Sequence, residues 1–120
     1  MKLTLDFDRE YSSQKRRAGL VDYSDLEHLT AELLTEADGS PSALARSLSL
    51  RYSEIMVDEY QDVSRVQDTI FNAISREGKN LFFVGDVKQS IYRFRLADPG
   101  IFTEKYLSYA DCDAARADEP

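Results

Sequence analysis

Hydrophobic positions along the chain follow two different rhythms, and the change between them falls at Ser53. Residues 4–18 are polar and charged, yet Leu3, Phe7 and Tyr11 stand four apart and so share one helical face. Gly19 stops that helix. The next helix is expected to begin at Ser24, where Ser24 and Glu27 have the spacing of a reciprocal capping box, and to bury Leu26, Leu29, Leu33 and Ala37. Gly39-Ser40-Pro41 separates it from a short third helix carrying Ala43, Leu44, Leu48 and Leu50, with Ser40 as N-cap and Pro41 as the first helical residue.

Beyond Ser53 the pattern shortens. EIMV (54–57) and NLFFV (80–84) are unbroken apolar runs that end abruptly in acidic or glycine residues, as parallel strands buried on both faces do. Between them, residues 64–77 are amphipathic, with Val66, Ile70, Phe71 and Ile74 inward and Gly78 just past the helix end. Strand, helix and strand in so short a stretch predict a βαβ unit with a right-handed crossover, and therefore an α/β fold with short parallel strands flanked by helices. Asp98-Pro99 starts a last helix through Ile101, Phe102, Tyr106 and Leu107. Residues 110–120 are small and acidic without apolar periodicity, which predicts a disordered linker.

Composition bounds this picture. With 120 residues and 42% hydrophobic content, the chain can bury one modest core, enough for one domain or part of one. No apolar run nears the ~20 residues that cross a bilayer, and the MKLTLDFDRE start has no signal-peptide core; a cytoplasmic protein with no membrane partner is expected. Cys112 has no second cysteine to pair with, and the lone histidine, His28, reads as a helix-surface residue. A net charge of −7 argues against a simple nucleic-acid-binding module. The charge is uneven, however: Lys15, Arg16 and Arg17 form one cationic cluster, and Lys88, Arg93 and Arg95 form another.

Candidate chemistry sits where the two strands end. MVDEYQD (56–62) and FVGD (83–86) put carboxylates at the carboxyl ends of successive parallel strands, where open α/β sheets bind their ligands. Asp58 can hold the water shell of a Mg²⁺ ion, and Glu59 can reach a water attacking a γ-phosphate. Taken alone, an Asp-Glu pair after apolar residues is more often a solvated strand end. Gln61 and Asp62 fit either a place in the site or structural bonding of the strand-end loop. Further along, Tyr92 and Phe94 interleave with Arg93 and Arg95, ring faces and cations that suit sequence-tolerant binding of single-stranded DNA. The plainer alternative packs both rings in a core beside Ile91.

The longer strings VDEYQD and VGDVKQSIYRFRLADP, in that order, resemble motifs II and III of the UvrD/Rep/PcrA-like superfamily 1 DNA helicases. VDYSDL (21–26) resembles a block upstream of motif II, so the resemblance covers residues 10–107. The wording FRLADP is most similar to the AddA subunit of bacterial AddAB helicase–nucleases, which unwind and resect DNA ends in double-strand-break repair. The resemblance implies a partial first RecA-like (P-loop NTPase) domain over 1–109, helical at 1–52 and βαβ at 53–109. It implies ATP and Mg²⁺ as ligands, with Asp58 on the metal, Glu59 as general base or water-orienting carboxylate, and Gln89 as γ-phosphate sensor. An amide suits that last role because it both donates and accepts. Asp86 and Arg95 would belong to the same polar network, with Arg95 on the nucleotide. Tyr92, Phe94 and Arg93 would grip single-stranded DNA, and the short segment from Gln89 to Phe94 would couple nucleotide state to that grip. The implied partners are single-stranded and duplex-end DNA and a second, AddB-like subunit.

No G-x-x-x-x-G-K-[ST] phosphate loop occurs in the sequence. The isolated stretch is therefore expected to be part of a longer protein, not to turn over ATP by itself, and to expose strand edges that favour a marginal monomer or self-association. Three other readings compete. One is a UvrD/RecB-like helicase without the nuclease context. Another is a Mg²⁺-dependent nuclease with Asp58, Glu59, Asp62 and Asp86 as a metal cluster, which leaves QSIYRFR unexplained. The third is a non-catalytic interaction module.

Overall fold

The computed structural model describes residues 2–89 and 98–109; Tyr92, Arg93, Phe94, Arg95 and the 110–120 stretch with Cys112 lie outside the described residues. The elements run α1 (Lys2–Ala18), α2 (Tyr23–Leu34), α3 (Ala43–Ser49), β1 (Ile55–Val57), α4 (Arg65–Ala73), β2 (Leu81–Phe83) and α5 (Pro99–Ser108), with 3₁₀ turns at Tyr60–Asp62 and Val87–Gln89. β1 and β2 pair in parallel, Ile55 with Leu81, Met56 with Phe82 and Val57 with Phe83. The expected strand–helix–strand unit is present, and the chain mixes helices with a small parallel sheet.

Two apolar clusters hold these elements together. Leu34, Ala45 and Ala73, with Leu48, Ile70 and Ile74 against them, join α2, α3 and α4. Tyr60, Val63 and Ile101, with Val57, Phe71, Phe83 and Phe102, join the sheet to α4 and α5. The second cluster lies directly beneath the strand ends, so its packing fixes where their carboxylates stand. Tyr60 is its anchor. Its ring stacks on Phe83 at 4.1 Å between centroids. Its hydroxyl donates to Asp68, whose Oδ1 also accepts from Asn72 and pairs with Lys105 at 3.3 Å. Burial, followed by the Asp68 carboxylate, holds the Tyr60 phenol well above the usual tyrosine range, so it serves as a neutral donor.

Several helix boundaries differ from expectation. α2 starts at Tyr23 rather than Ser24, because Asp22 is the N-cap and Asp25 completes the capping box. Lys15 decides between the two candidate pairs: its ammonium lies 2.8 Å from Asp22 and 2.6 Å from Asp25, tying the end of α1 to the start of α2. α3 is capped by Ser42, not Ser40. Pro41 stays outside the helix in an isolated bridge with Thr35, and Ser42 Oγ accepts from the Ala45 N–H. α4 begins as expected, with Ser64 and Gln67 forming a capping box, but ends at Ala73. A turn over 75–80 follows, and both Glu77 and Gly78 there have positive φ.

Burial also departs from the periodicity. α2 meets α4 through Leu34 and a hydrogen bond from Gln67 to Glu27, while Leu26, Leu29 and Leu33 are 47–64% exposed and Ala37 is exposed as well. α1 buries none of its residues; on its shared face Phe7 stacks on Tyr11, whose hydroxyl donates to Asp22 at 3.1 Å and whose ring lies under the Lys15 ammonium. The strands are covered on one face: Val57 and Phe83 pack inward, whereas Met56 and Phe82 are 70% and 60% exposed. In α5, Ile101 is buried but Tyr106 and Leu107 stand in solvent. The physical reason is common to all four. An apolar stripe identifies a face able to pack, but burial also needs a second surface, and the described residues supply none there.

Candidate active site

Parallel pairing brings the ends of β1 and β2 to one edge of the sheet. Asp58 directly follows Val57, and Asp86 stands three residues beyond Phe83, the register partner of Val57. Past the strands the two segments remain laced together: Val84 N–H donates to Val57 O and Tyr60 N–H donates to Val84 O, each at 2.9 Å. Asp58, Glu59, Asp86 and Gln89 are all exposed at this edge. Buried Tyr60 and Gln61 lie just behind them.

Glu59 occupies left-handed backbone, with φ 51° and ψ 39°. For an L-residue with a Cβ this conformation costs about 1–2 kcal/mol, so the surroundings must impose it. They do so from both sides. Asp58 Oδ1 accepts the Glu59 N–H at 2.8 Å, and the carbonyl of Glu59 accepts the Asp62 N–H at 2.8 Å as the 3₁₀ turn begins. The kink turns the chain sharply after β1 and presents two adjacent carboxylates at the rim. Glu77, the other non-glycine residue with positive φ among the described residues, sits in an exposed turn remote from the carboxyl ends of the strands.

Gln61 joins the two strand ends. Its Oε1 accepts the Asp86 N–H at 2.9 Å, and its Nε2 donates to Glu59 Oε2 at 2.5 Å. Gly85 makes room for this amide: a Cβ there would lie 2.6 Å from Gln61 Oε1 and 3.1 Å from the Phe102 ring. Asp86 in turn organises the second rim segment. Its carboxylate accepts from Lys88 N–H at 3.0 Å and from Gln89 Nε2 at 3.1 Å, and its carbonyl accepts from Gln89 N–H at 2.9 Å. Those donors, the Lys88 amide first, hold the Asp86 carboxyl below the usual range and keep it ionised.

Of the residues singled out from the sequence, Asp58, Glu59, Asp86 and Gln89 thus share one edge. Arg95, Tyr92, Arg93 and Phe94 lie outside the described residues. Asp62 instead lines an open groove of about 920 Å³ between α2 and α4, with Glu27, His28, Arg65 and Asp98, and its Oδ1 is buried without a hydrogen-bond partner among the described residues. No three His, Cys, Asp or Glu side chains among the described residues are grouped to hold a metal, so the four-carboxylate nuclease cluster is not formed. His28 is a surface residue whose Nδ1 lies 2.8 Å from Ser24 O. Lys15 is consumed by its two aspartates, which leaves the first cationic cluster smaller than it reads. Sequence reasoning missed the bridging geometry of Gln61. Its one local signal is the glycine at position 85, directly after an apolar run.

The UvrD/REP helicase N-terminal domain matches residues 1–110 of the chain. The A subunit of an ATP-dependent helicase/nuclease from Clostridium acetobutylicum is 49% identical over 117 residues, covering 92% of this chain and 9% of the relative. The protein of that name from Desulfitobacterium hafniense is 54% identical over 108 residues, 88% of this chain and 8% of its own length. The Staphylococcus aureus protein is 48% identical over 111 residues, 90% of this chain and 9% of its own. The chain therefore spans less than a tenth of the relatives it matches. With the match extending through both strand ends and the rim they form, the chain belongs to the UvrD/REP helicase N-terminal domain family.

Proposed function

We propose that this chain is the part of an AddA-type helicase–nuclease motor, within a RecA-like domain, that carries the carboxylates for ATP hydrolysis, in an enzyme that unwinds and resects DNA ends during double-strand-break repair. The observation that carries the reading is the strained rim. Glu59 is held in left-handed backbone between Asp58 and Gln61, beside Asp86 and Gln89, at the edge where α/β sheets bind nucleotides.

In this reading Asp58 would hold a Mg²⁺ ion through its exposed carboxylate. A single carboxylate fits an ion that keeps most of its water shell, and when bound it would supply charge neutralisation at the phosphates. Glu59 orients the attacking water and accepts its proton. Gln89 reads the γ-phosphate: its side-chain amide exchanges Asp86 for a phosphate oxygen, and the turn over 87–89 shifts with it. Tyr92, Phe94 and Arg93 carry that shift to single-stranded DNA, and Arg95 contacts the nucleotide. ATP binding draws on a phosphate loop elsewhere in the enzyme, so this stretch alone is inactive. An AddB-like subunit, single-stranded and duplex-end DNA, and a cytoplasmic setting complete the proposal.

The test is Glu59→Gln in the intact enzyme. Removing a positioned base should lower ATP turnover at least ~10²-fold while nucleotide binding is retained. Unchanged turnover would take Glu59 out of the mechanism. A second reading, an interaction module, is favoured by the bare faces around Met56, Phe82 and the α2 leucines. It predicts that the separate chain binds a partner protein in the absence of nucleotide.

A further inference from the structure

We infer that Gln61 is a positioning residue for hydrolysis: its single buried amide locks the Glu59 carboxylate to the Asp86–Gln89 segment, so that the water-orienting group and the phosphate-sensing turn move as one unit. The inference rests on the proposed role of Glu59.

Four observations lead to it. Gln61 is 1% exposed, so its amide is shielded from water and its bonds to Asp86 and Glu59 are not readily replaced by solvent. Both ends of the amide are used, and each end meets a different strand segment: Oε1 takes the Asp86 N–H, and Nε2 gives to Glu59 Oε2. The chemistry fixes the orientation. Reversing the amide would set its oxygen against a carboxylate and its NH₂ against an N–H donor. Finally, the space is committed to this side chain, since only a glycine at position 85 leaves Oε1 where it is.

The consequence is mechanical. Asp86 sets the turn that displays Gln89 through its carbonyl, which accepts the Gln89 N–H and keeps that bond when the side-chain amide exchanges the Asp86 carboxylate for phosphate. A pull on Gln89 by a phosphate oxygen therefore reaches Asp86 directly, and the Asp86 N–H passes it to the amide of Gln61. The other end of that amide holds Glu59. Glu59 has no freedom to absorb the displacement in its backbone, which is already pinned in the left-handed region. The path from sensor to base thus runs through one side chain between two discrete hydrogen bonds.

The experiment uses the intact helicase–nuclease protein that carries this chain, with ATP as substrate and a fluorescent ADP analogue for binding. Gln61→Met keeps the length and volume of the side chain but can neither donate nor accept as an amide does. Gln61→Glu keeps the acceptor for the Asp86 N–H and places a like charge against Glu59. Each should lower kcat by ~10²-fold, the loss expected when a reacting group is misplaced by about 1 Å, with KM for ATP and ADP affinity changed by less than about threefold. In the Glu59→Gln background, either change should add little further loss, because the group it positions has gone. Should the Met variant fail to fold, the Glu variant carries the comparison. The inference is overturned if Glu59→Gln abolishes turnover while both Gln61 variants keep kcat within about threefold of the parent. It is also overturned if they lower kcat and ADP affinity together, as a plain structural brace would. If Glu59→Gln itself leaves turnover intact, the underlying reading fails instead, and the two failures are distinct.

Discussion

Replacing Gly85 with alanine tests the packing behind the rim with a single methyl group. Gly85 does not lie in the left-handed region, so alanine meets no backbone penalty, and its smaller unfolded-state freedom would by itself stabilise the fold by about 0.4–1 kcal/mol. Sterics oppose this. The new Cβ would stand 2.6 Å from Gln61 Oε1, 3.1 Å from Phe102 Cε2 and 3.2 Å from the Gln61 backbone nitrogen. The fold can accept the overlap, at about 1–3 kcal/mol for overpacking. Alternatively, it can swing the amide away and leave buried polar groups unpaired, at about 1–3 kcal/mol. It will take the cheaper course, so the net loss is about 1–2 kcal/mol. Urea unfolding followed by far-UV circular dichroism suits a protein without tryptophan. With a slope of about 2 kcal/mol/M, the midpoint should fall by roughly 0.5–1 M at unchanged slope. In a Gln61→Ala background the closest contact is gone, and the same substitution should cost measurably less. A Gly85→Ala protein as stable as the parent would show that the amide does not occupy that space.

Three further outcomes follow from the fold. Ser64→Ala removes the N-cap of α4 and one half of its capping box, and should lower the urea-derived stability by about 1 kcal/mol, with Ser64→Thr largely neutral. Tyr60→Phe keeps the ring stack but strips Asp68 of its phenol donor; a loss of about 1.5–3 kcal/mol is expected, and no loss would mean that Lys105 and Asn72 suffice for Asp68. The Lys15 ammonium, then the Asp25 N–H, hold the Asp22 carboxyl at about 2, below the ~3.9 of an unfolded chain. Its contribution is therefore complete above pH ~4 and lost as pH falls through about 2, while that of Lys15, whose pKa is raised by Asp22 and Asp25, persists until alkaline pH exceeds ~10.4. Hydrogen exchange at the α1–α2 junction should accelerate in that acid window, and Lys15→Met should flatten the response; identical acid profiles would refute the coupling.

The strands and their carboxylates were legible because the pattern is local. An unbroken apolar run closed by an acid needs no distant partner to be recognised, and Asp58 and Asp86 fall at one edge once the pairing is parallel. Helix starts were less legible for an equally local reason. Asp22-x-x-Asp25 and Ser24-x-x-Glu27 are both valid reciprocal pairs two residues apart, and Lys15, on another helix, selects between them. Periodicity placed Leu26, Leu29 and Leu33 on one face correctly but could not supply a surface to cover them, and it is Leu34 that meets α3 and α4. The Gln61 bridge was invisible because it depends on strand register: only when Val57 stands beside Phe83 does one amide reach both Glu59 and Asp86.

The left-handed kink at position 59 sets this residue against its own chemistry. On backbone grounds alone, glycine or asparagine would sit there more comfortably than glutamate. Laboratory evolution that rewarded only heat tolerance would feel a pull away from the acid, and one that rewarded turnover would feel a pull back. Glutamate should therefore give way in libraries screened for folding and persist in libraries screened for work.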